Sequence, residues 1–229
     1  MMKKISIFIN VITVSLIGLA IYKLSTGSQM IQVAKNLPAY NINQDLTQNE
    51  FPTLVRLSKD GQFFCSGSVI SDDYVLTAGH CLVDENGEML DTEFNVESID
   101  QVNKVVVTAA GVNQRADYGL VKGDFKRYTK MTINMDPGMG IGDSIYIACG
   151  FPWGSSDICY PLGSQFQTYY DGFATTGRLY AGMSGGPVVD INRMTIIAVN
   201  SAVAEGYVIV MPTVGLFETL GIKVIKWVM

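Results

Sequence analysis

From residue 51 onward the sequence consists of about a dozen short β-forming runs separated by Gly, Asp, Asn and Pro turn residues. The runs are rich in Val, Ile, Thr and aromatic residues, which suit the pleated, half-buried surface of a strand. Because many short strands at this spacing are typical of sandwiches and barrels, the pattern predicts an all-β fold. The runs lie at residues 53–57, 63–70, 74–77, 92–97, 104–109, 118–121, 144–149, 165–170, 173–176, 187–189, 194–201 and 207–211.

A break rich in proline and glycine near residues 126–140 divides these runs into two halves of comparable size. We therefore predict two β domains, at residues 51–125 and 126–229. Residues 214–228 are an exception to the β pattern, because their apolar side chains recur with the period of a helix. The sequence predicts a C-terminal helix there, within the second domain.

Residues 1–24 have the features of a targeting segment. Two lysines precede residues 5–22, which are almost wholly apolar and predict a hydrophobic helix. Gly18 and Ala20 have the spacing of a signal-peptide cleavage site, whereas an uncleaved segment of this length would just span a bilayer as a membrane tether. Both interpretations predict an extracytoplasmic chain that is secreted, periplasmic or membrane-anchored. Residues 25–50 are polar and without a period, and we expect a linker or a surface arm.

Two motifs indicate nucleophilic chemistry. Ser184 lies in Gly-Met-Ser-Gly-Gly-Pro at residues 182–187, and His80 lies in Thr-Ala-Gly-His-Cys at residues 77–81. A serine hydroxyl is a weak nucleophile unless a base such as imidazole lies within hydrogen-bond reach. His80 is the only histidine in the chain, so no other imidazole is available. The amides of Gly182 and Ser184 are candidates for an oxyanion hole in this loop of small residues.

Together with a third motif, these segments resemble the chymotrypsin-like (trypsin-like) serine proteases. Residues 64–70 (Phe-Cys-Ser-Gly-Ser-Val-Ile) and 75–81 (Val-Leu-Thr-Ala-Gly-His-Cys) are similar to that family's histidine segment. Residues 117–122 (Asp-Tyr-Gly-Leu-Val-Lys) resemble its aspartate segment, and residues 182–188 resemble its serine segment. The chain order His, Asp, Ser is also that of the family.

The resemblance implies two six-stranded antiparallel β-barrels with the C-terminal helix packed on the second. It also implies a serine endopeptidase that hydrolyses peptide bonds of protein or peptide substrates through an acyl-enzyme. Ser184 would be the nucleophile, His80 the general base and Asp117 the residue that orients His80. Asp100 and Asp124 are alternatives to Asp117, which is favoured because a predicted strand follows it directly.

The resemblance further implies where substrate binds. Residues on the strand near 198–202 would pair with substrate backbone in antiparallel fashion. Arg178, six residues before Ser184, would lie near the floor of the specificity pocket and favour acidic side chains. The alternative is that Arg178 points to solvent. The predicted substrate-binding residues are Arg178, Asn200, Ser201 and Ala202.

One departure narrows the resemblance to a branch of the family. Met183 stands where trypsin-type members have the aspartate that pairs with a new N-terminus after zymogen cleavage. The chain is therefore more similar to the bacterial branch that contains glutamyl endopeptidases and periplasmic stress proteases. The alternative function is a catalytically silent relative that only binds peptides, although its usual signature is a broken triad.

The four cysteines fall into two local pairs, which favours disulfides in an exported chain. Four cysteines permit three connectivities, and we predict Cys65–Cys81 and Cys149–Cys159. A zinc site would need closer spacing or a histidine ligand, and His80 is needed as the base. We therefore expect no metal and no cofactor.

The charge of the chain excludes one class of partner. The formal net charge is −5, and no basic cluster occurs along the sequence. A nucleic-acid-binding protein needs a basic patch, so we expect no nucleic-acid partner. We also expect a monomer.

Overall fold

Thirteen β-strands form within the residues that the computed structural model describes, which are 53–99, 102–134, 145–154, 157–163, 165–204 and 206–213. Two short 3-10 segments, Gly79–Leu82 and Pro152–Gly154, lie among them. The strands are β1 (Leu54–Lys59), β2 (Gln62–Val69), β3 (Tyr74–Ala78), β4 (Phe94–Ser98), β5 (Lys104–Asn113), β6 (Tyr118–Lys122), β7 (Tyr146–Gly150), β8 (Ile158–Pro161), β9 (Gln167–Tyr169), β10 (Gly172–Thr175), β11 (Pro187–Asp190), β12 (Thr195–Ala204) and β13 (Tyr207–Pro212). The all-β prediction is confirmed.

The first six strands form a closed antiparallel barrel in the order β1-β2-β3-β6-β5-β4. β1 closes it, because it pairs with β2 on one edge and with β4 on the other. Leu54, Leu57, Leu76 and Leu120 are at most 1% exposed inside it. Burial of each such side chain contributes about 1.5–3 kcal/mol to folding. The first predicted barrel is therefore present with its predicted number of strands.

The second half is a seven-stranded sheet in the order β8-β7-β11-β12-β13-β10-β9, where a closed six-stranded barrel had been expected. Edge strands β8 and β9 do not pair with each other within the described part of the chain. β9 has only three residues, and all three pair with β10. Instead, the Gly163 N–H after β8 donates to the Thr176 carbonyl after β10 at 2.7 Å.

The two halves share an apolar core. One cluster of buried side chains runs from the barrel into the second sheet and includes Val55, Leu82, Phe151, Val189 and Val199. Ring packing continues this contact, since Phe63 of β2 meets Phe151 edge-on with centroids 6.1 Å apart. The site described below lies at this junction, so its two sides are held by shared packing.

Both predicted disulfides are confirmed. Cys65–Cys81 joins β2 to the 3-10 segment after β3, and Cys149–Cys159 joins β7 to β8 at directly facing positions. No free cysteine occurs in the described ranges. The first bridge fixes the residue next to His80 to the barrel wall.

Several predictions fall on residues outside the described ranges. These are the hydrophobic helix at 5–22, the arm at 25–50 and the C-terminal helix at 214–228. Within the ranges that are described, no helix combines the length and apolar character needed to cross a bilayer.

Candidate active site

His80 and Asp117 meet where β3 ends and β6 begins. Ala78, the last residue of β3, pairs with Tyr118, the first residue of β6. Gly79 follows at a crowded point, since a Cβ there would lie 3.0 Å from the Tyr118 carbonyl oxygen. The chain then turns into the segment Gly79–Leu82, which carries His80. Strand pairing and close packing at Gly79 therefore bring the two residues together.

His80 and Asp117 form a hydrogen-bonded pair. The His80 backbone N–H donates to Asp117 Oδ1 at 2.8 Å. Its ring Nδ1 lies 3.0 Å from Asp117 Oδ2 and 3.1 Å from Oδ1. Because Nδ1 carries the proton towards the carboxylate, Nε2 is left as the acceptor on the other side of the ring. The pair holds the imidazole in the tautomer that general-base chemistry requires.

Ser201 is a third partner in this arrangement. Its hydroxyl donates to Asp117 Oδ2 at 2.5 Å. The ladder between β12 and β13 shifts register between Asn200 and Ala202, so Ser201 lies at an irregularity in the strand. Asp117 has a φ of 47°, a left-handed conformation that costs energy outside glycine, and these bonds help to hold it. The sequence had assigned Ser201 to substrate binding.

These contacts shift the pKa values of both His80 and Asp117. The pKa of His80 is raised above its ordinary value by the hydrogen bond that its ring donates to Asp117, which outweighs the opposing effect of burial. Burial works against ionisation of Asp117, yet hydrogen bonds from His80 and Ser201 outweigh it and its pKa is lowered. The charged carboxylate therefore persists beside the imidazole and stabilises its protonated form.

The loop that carries Ser184 packs against the end of β3. Gly182 and Gly185 have φ values of 93° and 82°, a region that favours glycine. A Cβ on Gly185 would overlap Thr77 Oγ1 and the Ser66 carbonyl oxygen. Since Thr77 lies three residues before His80, this contact brings the serine loop of the second sheet to the histidine side of the barrel.

Two buried polar side chains fix the loop. The Ser66 hydroxyl donates to the Gly182 carbonyl at 2.7 Å, and its backbone N–H donates to the Ser184 carbonyl at 2.8 Å. Asn200 is 0% exposed. Its Nδ2 donates to the carbonyls of Cys149 at 2.8 Å and Met183 at 3.2 Å. The Asn200 side chain thus supports the loop from inside, and the assignment of Asn200 to substrate binding stays a prediction.

The backbone amides of the loop divide into bonded and unbonded groups. Met183, Gly185 and Gly186 donate to carbonyls of Tyr180, Asn200 and Met183, at 2.9–3.1 Å. Over the described residues, no hydrogen bond occupies the amides of Gly182 and Ser184. These two N–H groups are the predicted donors of the oxyanion hole, and they are available to a ligand oxygen.

Ser184 Oγ makes no hydrogen bond to the His80 ring, or to any other group in the described part of the chain. In enzymes without substrate, such catalytic bonds are often long and tighten on binding. The site therefore consists of the hydrogen-bonded residues His80, Asp117 and Ser201 on one side and the fixed loop that carries Ser184 on the other.

The sequence matches one known protein family and is similar in part to a known serine protease. The family profile described as "Trypsin-like peptidase domain" matches residues 65–199, more than half of the chain. The chain belongs to this peptidase domain family. Venom serine protease 34 of Apis mellifera is 33% identical over 72 residues, which are 26% of this chain and 18% of that protein. The aligned part thus spans less than a fifth of that relative's length.

Solved structures agree on the fold of the peptidase domain. The serine endoprotease from Yersinia pestis matches with a TM-score of 0.60 and 19% identity, over 75% of this chain and 62% of that chain. The active form of the Rv3671c protease from M. tuberculosis matches with a TM-score of 0.62 and 16% identity, over 79% of this chain and 86% of that chain.

One group of potential metal ligands lies beside the site. The ligating atoms of Cys65, His80 and Cys81 are within 4.8 Å of one another. The two cysteines are joined in a disulfide, however, and neither offers the thiolate that a metal needs. This group cannot hold an ion while the bridge is intact.

The remaining predicted substrate residues lie on the surface of the peptidase domain. Ala202 and Arg178 are exposed. β11 pairs with β12 only as far as Val199, so one edge of β12 is open from Ser201 to Ala204 within the described chain. Burial raises the pKa of Tyr160, and the nearby charge of Arg178 partly opposes this.

Proposed function

We propose that this chain is a serine endopeptidase that hydrolyses peptide bonds through an acyl-enzyme. The observation that carries the proposal is the His80–Asp117 pair, with ring Nδ1 bonded to the carboxylate beside the Ser184 loop. The family match is consistent with this chemistry. Ser184 is the nucleophile, His80 the base and Asp117 the orienting carboxylate.

In the proposed reaction, Ser184 Oγ attacks the substrate carbonyl carbon while His80 Nε2 takes the hydroxyl proton. The carbonyl oxygen becomes an oxyanion, and the free amides of Gly182 and Ser184 stabilise its charge. His80 then gives the proton to the leaving amine, and the ester on Ser184 remains. Water attacks this ester by the same route, which releases the acid and restores the hydroxyl.

The open edge of β12 is the proposed binding site for the acyl side of the substrate. An extended peptide that pairs with the backbone of Ser201–Ala204 gains hydrogen bonds whatever its side chains are. The same edge ends at Ser201, whose hydroxyl is bonded to Asp117. Pairing there therefore aligns the scissile bond with the triad. A preference for acidic side chains through Arg178 stays a prediction.

The proposed setting is outside the cytoplasm. Two disulfides persist in oxidising compartments and are rare in reducing ones. The matched relative named a venom protease is consistent with an extracellular setting. Cleavage of residues 1–24, a membrane tether at 5–22, the division into domains at residue 125 and the monomeric state stay predictions.

A fluorophosphonate probe tests the proposed function. The probe forms a covalent bond with a serine hydroxyl that a neighbouring base activates, so we expect it to label Ser184 in the folded protein. Labelling should disappear in Ser184→Ala and persist in Ser71→Ala, a matched change at a half-buried turn residue outside the proposed site. Absence of labelling in folded wild-type protein would favour the silent peptide-binding alternative.

The pH profile gives a second prediction. Protonated His80 cannot accept the serine proton, so kcat/KM should fall as the pH drops through the pKa of His80. Because Asp117 raises that pKa, the midpoint should lie above the ordinary value of about 6.5. With one histidine in the chain, the limb should follow a single proton. A steeper limb, requiring two protons, would contradict the assignment of the base.

A further inference from the structure

A cluster of one exposed and two half-buried aromatic side chains borders the serine loop. It consists of Trp153, Tyr160 and Tyr180, and we call it the aromatic cluster. The Trp153 and Tyr180 rings have centroids 4.7 Å apart, and the Tyr160 and Tyr180 rings 5.3 Å apart. Trp153 is 70% exposed, which is unusual for so large an apolar surface. The proposed mechanism does not use these side chains.

The aromatic cluster is fixed to the proposed oxyanion loop. The Trp153 N–H donates to the Ala181 carbonyl at 2.7 Å, and Ala181 directly precedes Gly182. The turn around Trp153 is held on its other side by Arg56, whose Nη1 donates to the Gly154 carbonyl at 2.7 Å. The Arg56 guanidinium also lies 4.2 Å from the centroid of the Phe151 ring. The indole is therefore held by a rigid turn rather than by a free loop.

Sheet order tells which part of a substrate would reach the aromatic cluster. The order β8-β7-β11-β12 puts β12 and β8 on opposite sides of β11, the strand that follows Ser184. Trp153 follows β7 and Tyr160 lies in β8. A peptide whose acyl side pairs with β12 and whose scissile bond lies at Ser184 therefore continues towards the aromatic cluster with its leaving-group side.

We propose that the aromatic cluster is a substrate subsite that binds an aromatic side chain on the leaving-group side of the scissile bond. This inference rests on the proposed endopeptidase function. The exposed indole face offers a large apolar surface for stacking, and aromatic pairs gain stability beyond the area they bury.

The experiment compares peptides that differ only after the scissile bond. Internally quenched peptides carry either phenylalanine or alanine at each of the first two positions after that bond. For wild type we expect kcat/KM to be about 5–10-fold higher with phenylalanine at one of these positions. In Trp153→Ala the ratio should fall to about 1, whereas Trp153→Phe should keep most of it. Because both peptides are measured with the same variant, any loss of its overall activity cancels in the ratio of the two kcat/KM values.

Tyr170→Ala is the matched control. Tyr170 is an exposed aromatic residue with a φ of 51°, the same φ as Trp153, but it lies in the turn before β10. The phenylalanine-to-alanine ratio should be unchanged in this variant. If Trp153→Ala keeps the wild-type ratio, or if Tyr170→Ala loses it equally, the subsite does not exist.

A binding measurement separates failure of the subsite from failure of the proposed function. In Ser184→Ala, calorimetric titration should give a Kd about 5–10-fold lower for the phenylalanine peptide than for the alanine peptide. The difference should vanish when Trp153→Ala is added. Fluorophosphonate labelling of wild type reports the proposed function separately. Labelling with no Kd difference would overturn the subsite alone, and no labelling with a Kd difference would overturn the endopeptidase alone.

Discussion

Replacement of His80 with alanine is expected to lower kcat on a peptide substrate by about 10⁶-fold while KM changes little. The physical reason is the loss of the base that takes the Ser184 proton. The chain has no second histidine to replace it as the base. Substrate pairing with the open edge of β12 does not involve the imidazole, so binding should persist. Steady-state kinetics with purified protein measure both constants.

Lys122→Ala is a suitable control for the His80 variant. Lys122 is exposed at the far end of β6, the strand that Asp117 directly precedes. The kcat of Lys122→Ala should stay within about twofold of wild type, because substitutions at exposed positions usually have small effects on the fold. Urea unfolding of the His80→Ala variant should show that the fold is retained. Turnover that survives in folded His80→Ala would mean that the active site lies elsewhere.

The strands of the first barrel were predictable because each was visible as a separate β-forming run. The six runs between residues 53 and 121 correspond to β1–β6 with shifts of a few residues at their ends. Closure of these strands into a barrel, and the partnership of His80 with Asp117, were implied by the family resemblance rather than by the runs themselves. The pairing of β3 with β6, which brings His80 and Asp117 together, is a long-range contact that no local pattern marks.

The second sheet was less predictable because one of its strands has a weak signal. β8 (Ile158–Pro161) was missed, as its four residues end in proline and lie on the sheet edge, where proline is tolerated. Cys159 is held opposite Cys149 by the disulfide and by pairing with β7, a long-range constraint. With β8 added and β9 short, the sheet has seven strands and stays open between its edges.

The roles of Asn200 and Ser201 could not be read from the sequence. The sequence predicts one strand over residues 194–201, and nothing local marks the register shift between Asn200 and Ala202. Neighbouring residues of a strand face opposite sides. Asn200 turns into the core under the serine loop, and Ser201 turns towards Asp117. Neighbouring residues thus serve two different parts of the site, where the sequence predicted one shared role.

Replacement of Asp117 with asparagine is expected to lower kcat by about 10⁴-fold. The carboxylate now accepts three hydrogen bonds, from the His80 backbone, the His80 ring and Ser201. An asparagine has one acceptor and one donor group, so it must leave one of these donors facing an N–H₂ group or reverse the tautomer of the imidazole. Loss of the carboxylate also removes the charge that stabilises protonated His80. Kinetics on the folded variant measure the loss.

The pH profile distinguishes this role of Asp117 from simple destabilisation. Because the hydrogen bond that His80 donates to Asp117 raises the pKa of His80, Asp117→Asn should move the acidic limb of the residual activity to lower pH. Asp124→Asn is the matched control, since Asp124 is exposed and was the alternative aspartate in the sequence. It should leave both kcat and the limb unchanged within about twofold. A larger loss in Asp124→Asn than in Asp117→Asn would contradict the assignment, and an unmoved limb in Asp117→Asn would show that Asp117 does not act through His80.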